Sequence, residues 1–293
     1  MRSHHHNSLE HAWTIVAVFA VITMSTHSSA QDVLTPNFSP SSDVGWVAYG
    51  SDFIPPSSGP GPVRFDPAHP FIPDSFEYRL SEPNRKGPAQ QTFRVADLSN
   101  PILQPWAREE LRKRNELVLS GKPGFTLQVS CWPLGVPASL LYAIVPISFI
   151  QMTKEVIVIY WEFGFVRHIY LNVPHSERVK PSWFGESVGH YEGDTLVVDT
   201  VGMNDKTYVD NYRTPHSEKL HVVERYQLTE GGKVLEVSVH VEDTGAFTTP
   251  WDAIQRYTRV ETRPLTESPC AENTANYFGY DIDPIPTVDK SDF

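Results

Sequence analysis

Residue types suited to proton transfer and ligand recognition are concentrated between Trp183 and Glu224. The stretch reads Trp183-Phe-Gly-Glu-Ser-Val-Gly-His-Tyr-Glu-Gly-Asp-Thr-Leu-Val-Val-Asp-Thr-Val-Gly-Met-Asn-Asp205, then Pro215-His-Ser-Glu-Lys-Leu-His-Val-Val-Glu224. It holds no Gly-x-Ser-x-Gly elbow, no phosphate-cradling loop and no His-Glu-x-x-His. Imidazole has the side-chain pKa nearest neutrality, and a carboxylate can orient it and hold its tautomer. His190, Asp199, His216, His221 and Glu224 therefore form the candidate catalytic set. A pocket mouth gathering His216, His221, Asn204 and Asp199 would suit proton abstraction, elimination, isomerisation or water-assisted cleavage.

His216, His221 and Glu224, with His190 nearby, are also ligand types for zinc or iron. Residues 221 and 224 differ by three, however, and so point to opposite faces of a regular strand. A metal site would need a bulge or a ligand from the preceding loop, so the favoured chemistry uses no metal or other cofactor. Plainer roles compete at each position. Asp194 and Asn204-Asp205 suit turns, His221 suits a hydrogen-bonded barrel residue, and Glu224 suits a cross-strand partner. Asp199 and His221 sit among Val and Leu, where a polar group must find a partner.

For ligand binding the candidates are Asn204, Asp205, Arg167, Tyr170, Trp183, Tyr226 and Trp251. Arg167 would receive an anionic group and the rings would line a pocket; core packing and an exposed strand position are the alternatives.

The elements that must position these residues are mostly strands. From residue 140 the apolar pattern has a period of two. Strands are expected at 156–161 and 166–171, joined through Phe163-Gly-Phe165, and at 195–201 after the turn Glu192-Gly-Asp194. Further strands fall at 221–228 and 234–241, flanking Thr229-Glu-Gly-Gly232, and at 253–260. Consecutive strands with few intervening helices imply an antiparallel meander closed into a barrel or half-barrel, lipocalin- or calycin-like, with an interior cavity common in that architecture. Val156 to Tyr160 is apolar on both faces, so it needs cover on the outside or a lined pocket within. A helix is expected from Pro105 to Leu119, with Pro in its first turn and Gly121 ending it. Its charged run Arg108–Arg114 reads as a solvated face. The barrel domain spans 101–275, the tail 276–293. Residues 31–100 are rich in Pro, Ser, Gly and Asp and read as an extended arm, because proline lacks a donor and fixes φ.

Residues 1–30 have the three-part pattern of a cleavable signal peptide: Arg2 near the start, the uncharged run Ala12–Met24, and Ser28-Ser29-Ala30 before Gln31. Such a short run does not comfortably span a bilayer. The mature chain is expected to be periplasmic or secreted, without stable membrane insertion. Apolar residues make up 40% of the chain, enough for a sizeable core, and the net charge of −11 argues against a nucleic-acid partner. The expected partner is a small-molecule ligand or substrate. In an oxidising compartment Cys131 and Cys270 are expected to pair, with two inert buried thiols as the alternative.

The Trp183–Asp205 block, Pro215–Arg225, Cys131-Trp-Pro-Leu-Gly-Val-Pro137 and Cys270-Ala-Glu-Asn273 resemble segments of a large family of exported, mostly bacterial proteins of unassigned function. The resemblance covers roughly residues 130 to 275 and supports the polar block as a site without implying a reaction. Two functions follow as expectations. One is an exported enzyme, a lyase, isomerase or hydrolase, acting on a moderately apolar small molecule by metal-free His/carboxylate chemistry. The other is a non-catalytic lipocalin-like binding protein for a small hydrophobic ligand.

Overall fold

Side chains alternating inward and outward with a period of two build nine strands that close on themselves. The computed structural model describes residues 36–70, 94–120, 127–142, 146–161, 164–261 and 270. The segment 1–30 expected to be a signal peptide, Gly121 and the tail 276–293 lie outside the described residues. The strands are β1 (Val44–Ala48), β2 (Ile147–Gln151), β3 (Glu155–Tyr160), β4 (Phe165–Leu171), β5 (Glu186–Glu192), β6 (Thr195–Val201), β7 (His221–Thr229), β8 (Val234–Glu242) and β9 (Trp251–Glu261). They follow one another around the barrel in chain order, and β1 closes it by pairing with both β2 and β9.

The barrel is mixed rather than wholly antiparallel. β4 and β5 run parallel, and their ladder has only the pairs Ile169↔Ser187, Tyr170↔Val188 and Leu171↔Gly189. Parallel neighbours cannot be joined by a tight turn, so residues 172–185 form a crossover. β5 and β6 do form a hairpin, turning at Gly193 with φ of 61°. β1 lies within the segment expected to be an arm. Its Val-Gly-Trp-Val-Ala run is free of proline, and its five-pair register with β9 supplies hydrogen bonds that local composition does not announce.

The helix α1 (Pro105–Leu119) has the expected bounds and buries Ala107, Leu111, Asn115 and Val118, one face at three- and four-residue spacing. Its outer face is charged, with Arg112 bonded to Glu109 and Glu116. Asn115 exchanges two hydrogen bonds of 2.8 Å with the backbone of Ala96 and so fixes the helix to the chain before it. Among the described residues no helix is long and apolar enough to cross a membrane.

The barrel interior is filled. Inward positions carry Trp46, Phe149, Val156, Val158, Leu196, Val198, Leu235, Val237, Trp251 and Tyr257 in one core cluster. A cavity of only about 20 Å³ sits against Tyr142, Tyr160, Phe165 and Phe184. The expected interior ligand cavity is thus replaced by packed rings, because large aromatic side chains enter from β1, β2, β3, β7 and β9 together.

Candidate functional site

The thin β4–β5 ladder starts only at Ile169↔Ser187, so the first half of β4 faces the crossover instead of a paired strand. Between them lies a cleft of about 660 Å³, a size typical of small-molecule sites. β4 contributes Arg167, His168 and Tyr170, and the crossover contributes Ser176, Arg178, Lys180, Trp183 and Phe184; Glu186 and Ser187 complete it. Three sequence candidates, Arg167, Tyr170 and Trp183, therefore meet in one cleft.

One cleft residue, His168, belongs to a histidine–carboxylate dyad. β4 alternates so that Arg167, Ile169 and Leu171 point inward while Val166, His168 and Tyr170 point outward. His168 stands opposite Ile157, and its Nδ1 meets Glu155 Oε1 at 2.5 Å. Its ring stacks with Tyr170 at 6.3 Å between centroids. Its Nε2 carries no hydrogen bond among the described residues. A carboxylate on one ring nitrogen fixes orientation and leaves the other free for proton transfer. Arg178 and Lys180 are exposed, and neither makes an ion pair among the described residues. Neither dyad residue was singled out from sequence; the available signal was the outward phase of His168 between Arg167 and Tyr170.

Arg167 lies at the floor of the cleft, but its charge is already taken. It is 1% exposed and donates from Nη1 and Nη2 to both oxygens of Glu224, which is fully buried. It also donates from Nη2 to Thr200 Oγ1 at 2.8 Å and from Nε to Ser187 Oγ at 3.1 Å. Tyr226 donates to Glu224 Oε1 at 2.8 Å, and burial pushes its phenol pKa well up. The network stitches β4 to β5, β6 and β7 from inside, across the seam where the backbone ladder is shortest.

Asp199, His221, His216 and Glu224 do not share a cavity. The three-residue spacing separates His221, outward on β7, from Glu224, inward. Asp199 and His221 are bonded at 3.0 Å on the outer face, where Asp199 raises the histidine's pKa. Asp199 also accepts from His175 at 3.0 Å, and His175 meets Glu186 of the cleft wall at 3.0 Å through its other nitrogen. His216 is buried in loop packing between Thr207 Oγ1 at 2.7 Å and the Ser217 carbonyl at 2.9 Å; burial lowers its pKa. His190 is exposed against Glu192. Asn204 caps a turn by accepting from the Lys206 amide, and Asp205 is exposed in that turn. Trp251 packs between Phe53 and Phe247 in the core.

Trp183 packs against Trp132, with centroids 5.3 Å apart, and Pro133 lines the cleft. This places Cys131 in the chain segment beside it. Cys131 and Cys270 are within bonding distance, with Cα atoms 5.8 Å apart. Among the described residues no three His, Cys, Asp or Glu side chains are grouped to hold a metal ion. Against known proteins, no family model, no curated sequence and no solved structure matches this chain.

Proposed function

We propose that this is an exported enzyme that carries out acid–base chemistry on a small organic anion with an apolar body, bound in the β4–crossover cleft. The observation carrying this reading is His168, bonded to Glu155, lining a 660 Å³ cleft that also presents Arg178 and Lys180. His168 takes or gives the proton, Glu155 orients it and stabilises the imidazolium, and the two cations receive the anionic group. Trp183, Tyr170 and Phe184 pack the apolar body. Ser176 is no activated nucleophile here, because its hydroxyl donates to Glu186 rather than to a histidine. That favours proton transfer, as in a lyase or isomerase, over acyl transfer. Export is supported by the signal-peptide pattern of residues 1–30 and by the Cys131–Cys270 pair.

A panel of small aryl and alkyl carboxylates, screened by thermal shift and followed by NMR for conversion, tests the reading. Wild type binds members of the panel and converts at least one. Arg178→Ala/Lys180→Ala loses binding, while His168→Asn keeps binding and loses about 10²-fold or more of turnover. Unaltered turnover in His168→Asn refutes the assignment. Binding without conversion selects a non-catalytic carrier using the same cleft, a second reading favoured by the exposure of His168, whose side chain is 49% accessible.

A further inference from the structure

The outer face of the barrel carries an alternating row of carboxylates and imidazoles: Glu186, His175, Asp199, His221, Glu242, His240 and Asp252. It begins at the cleft wall and crosses β5 to β9. Cross-strand register builds it, setting His221 opposite Glu242 and His240 opposite Asp252. His175 joins from the crossover, bonding Glu186 Oε1 through Nδ1 and Asp199 Oδ1 through Nε2, both at 3.0 Å. His221 approaches Asp199 through Nε2 at 3.0 Å and Glu242 through Nδ1 at 3.5 Å. His240 reaches Glu242 through Nε2 at 3.1 Å and Asp252 through Nδ1 at 2.7 Å.

Every ring nitrogen in the row thus faces a carboxylate oxygen. An ionised carboxylate only accepts, and a neutral imidazole donates from one nitrogen while the other presents a lone pair. The full set of contacts therefore forms only when all three imidazoles are protonated. Loss of a proton turns one contact of that ring from attraction to repulsion. At the crossover, the backbone is tied at its ends by Asn172 to Gly189 and Ser182 to Gly202. Between those ends, His175 and Ser176 hold the middle to Glu186 and Asp199.

We propose that the row is a proton-operated clasp that fastens the middle of the crossover, one wall of the cleft, to the barrel at acidic pH and releases it as the imidazoles lose their protons. The clasp stands on the geometry of the row and not on what occupies the cleft. The charged groups bonded to its histidines are the row's own four carboxylates; Ser176 is the further side chain on Glu186. The direction of titration agrees. The hydrogen bond that His221 donates to Asp199 raises the histidine's pKa. Burial works against the charge on His240, but Asp252 and Glu242 outweigh it and raise its pKa as well. A histidine whose pKa is raised by folding stabilises fully below its ordinary value near 6.5, and the contribution is lost as pH rises through the higher folded value.

Hydrogen exchange on the full chain at pH 5.5 and 8.5, corrected for intrinsic rates, tests this. Peptides covering 172–185 are expected to exchange faster at the upper pH, while β6 is unchanged. Asp199→Ala removes the acceptor shared by His175 and His221 and should make the crossover exchange rapidly at both pH values. Imidazole ¹⁵N shifts give a readout that needs no variant: His221 should be doubly protonated at pH 5.5. Equal crossover protection at the two pH values, a neutral His221 at pH 5.5, or full protection in Asp199→Ala at pH 5.5 would each overturn the proposal.

Discussion

Replacing Glu224 by Ala tests whether the barrel interior is sealed at the β4–β5 seam. Glu224 is fully buried and Arg167 is 1% exposed, and the pair is joined by two hydrogen bonds. The substitution leaves a buried guanidinium with only the hydroxyls of Ser187 and Thr200, and removes the acceptor of Tyr226. Leaving one member of a buried pair uncompensated costs about 3–5 kcal/mol. That is a large part of the roughly 5–15 kcal/mol by which a domain is stable. With a urea slope of about 2 kcal/mol per molar, the midpoint should fall by about 2 M. The double variant Arg167→Met/Glu224→Leu removes both charges and should return to within about 1 kcal/mol of wild type, because it leaves no charge unpaired. Urea unfolding of wild type, Arg167→Met, Glu224→Leu and Arg167→Met/Glu224→Leu under oxidising conditions closes the cycle. A cost below about 1 kcal/mol for Glu224→Ala would show that water reaches Arg167 through the cleft, and the account of a sealed floor would fall.

Two further outcomes follow from buried positions outside the barrel wall. Gly135 has φ of 75°, and a Cβ there would lie 2.7–2.8 Å from the side chain of Thr207, which is bonded to His216. Gly135→Ala should therefore destabilise by about 2–4 kcal/mol, from left-handed strain plus overpacking, and lower the melting temperature by roughly 5–15 °C; an unchanged melting curve would refute that packing. Asp210 is buried and its pKa is pushed up to about 6 by desolvation, against hydrogen bonds from Thr214 and the Tyr212 amide. A carboxyl whose pKa is raised by folding stabilises most below its ordinary value near 3.8 and loses that contribution as pH climbs through about 6. Asp210→Asn should accordingly gain on wild type between pH 4 and 7 in urea midpoints, and parallel profiles would exclude a perturbed Asp210.

Much of the architecture is legible in local pattern. Pro105 at the first turn and buried positions at three- and four-residue spacing mark α1. Alternation marks β4 and β7 to β9, β-branched apolar runs mark β3 and β6, and Gly-containing turns mark the β3–β4 and β7–β8 hairpins. β5 is obscured because Glu186, His190 and Glu192 give it a polar outer face and Gly189 removes a side chain. β1 is obscured because it follows a segment whose composition argues against strand. The same two-residue period correctly separates His221 from Glu224, since the faces of a strand are a local property.

Partners are not local, and here the tertiary structure decides. His168 and Glu155 are brought together by the register of one hairpin, and Arg167 and Glu224 meet across 57 positions only because the barrel closes. His175 lies in an aperiodic loop, and only the parallel pairing of β4 and β5 returns that loop over the outer face to meet Asp199. The sequence by itself determined which side of each strand every functional group takes, because backbone pleat imposes it. Which groups became neighbours depended on strand order and closure, and those follow from summed burial and hydrogen bonding over the whole chain rather than from any segment of it.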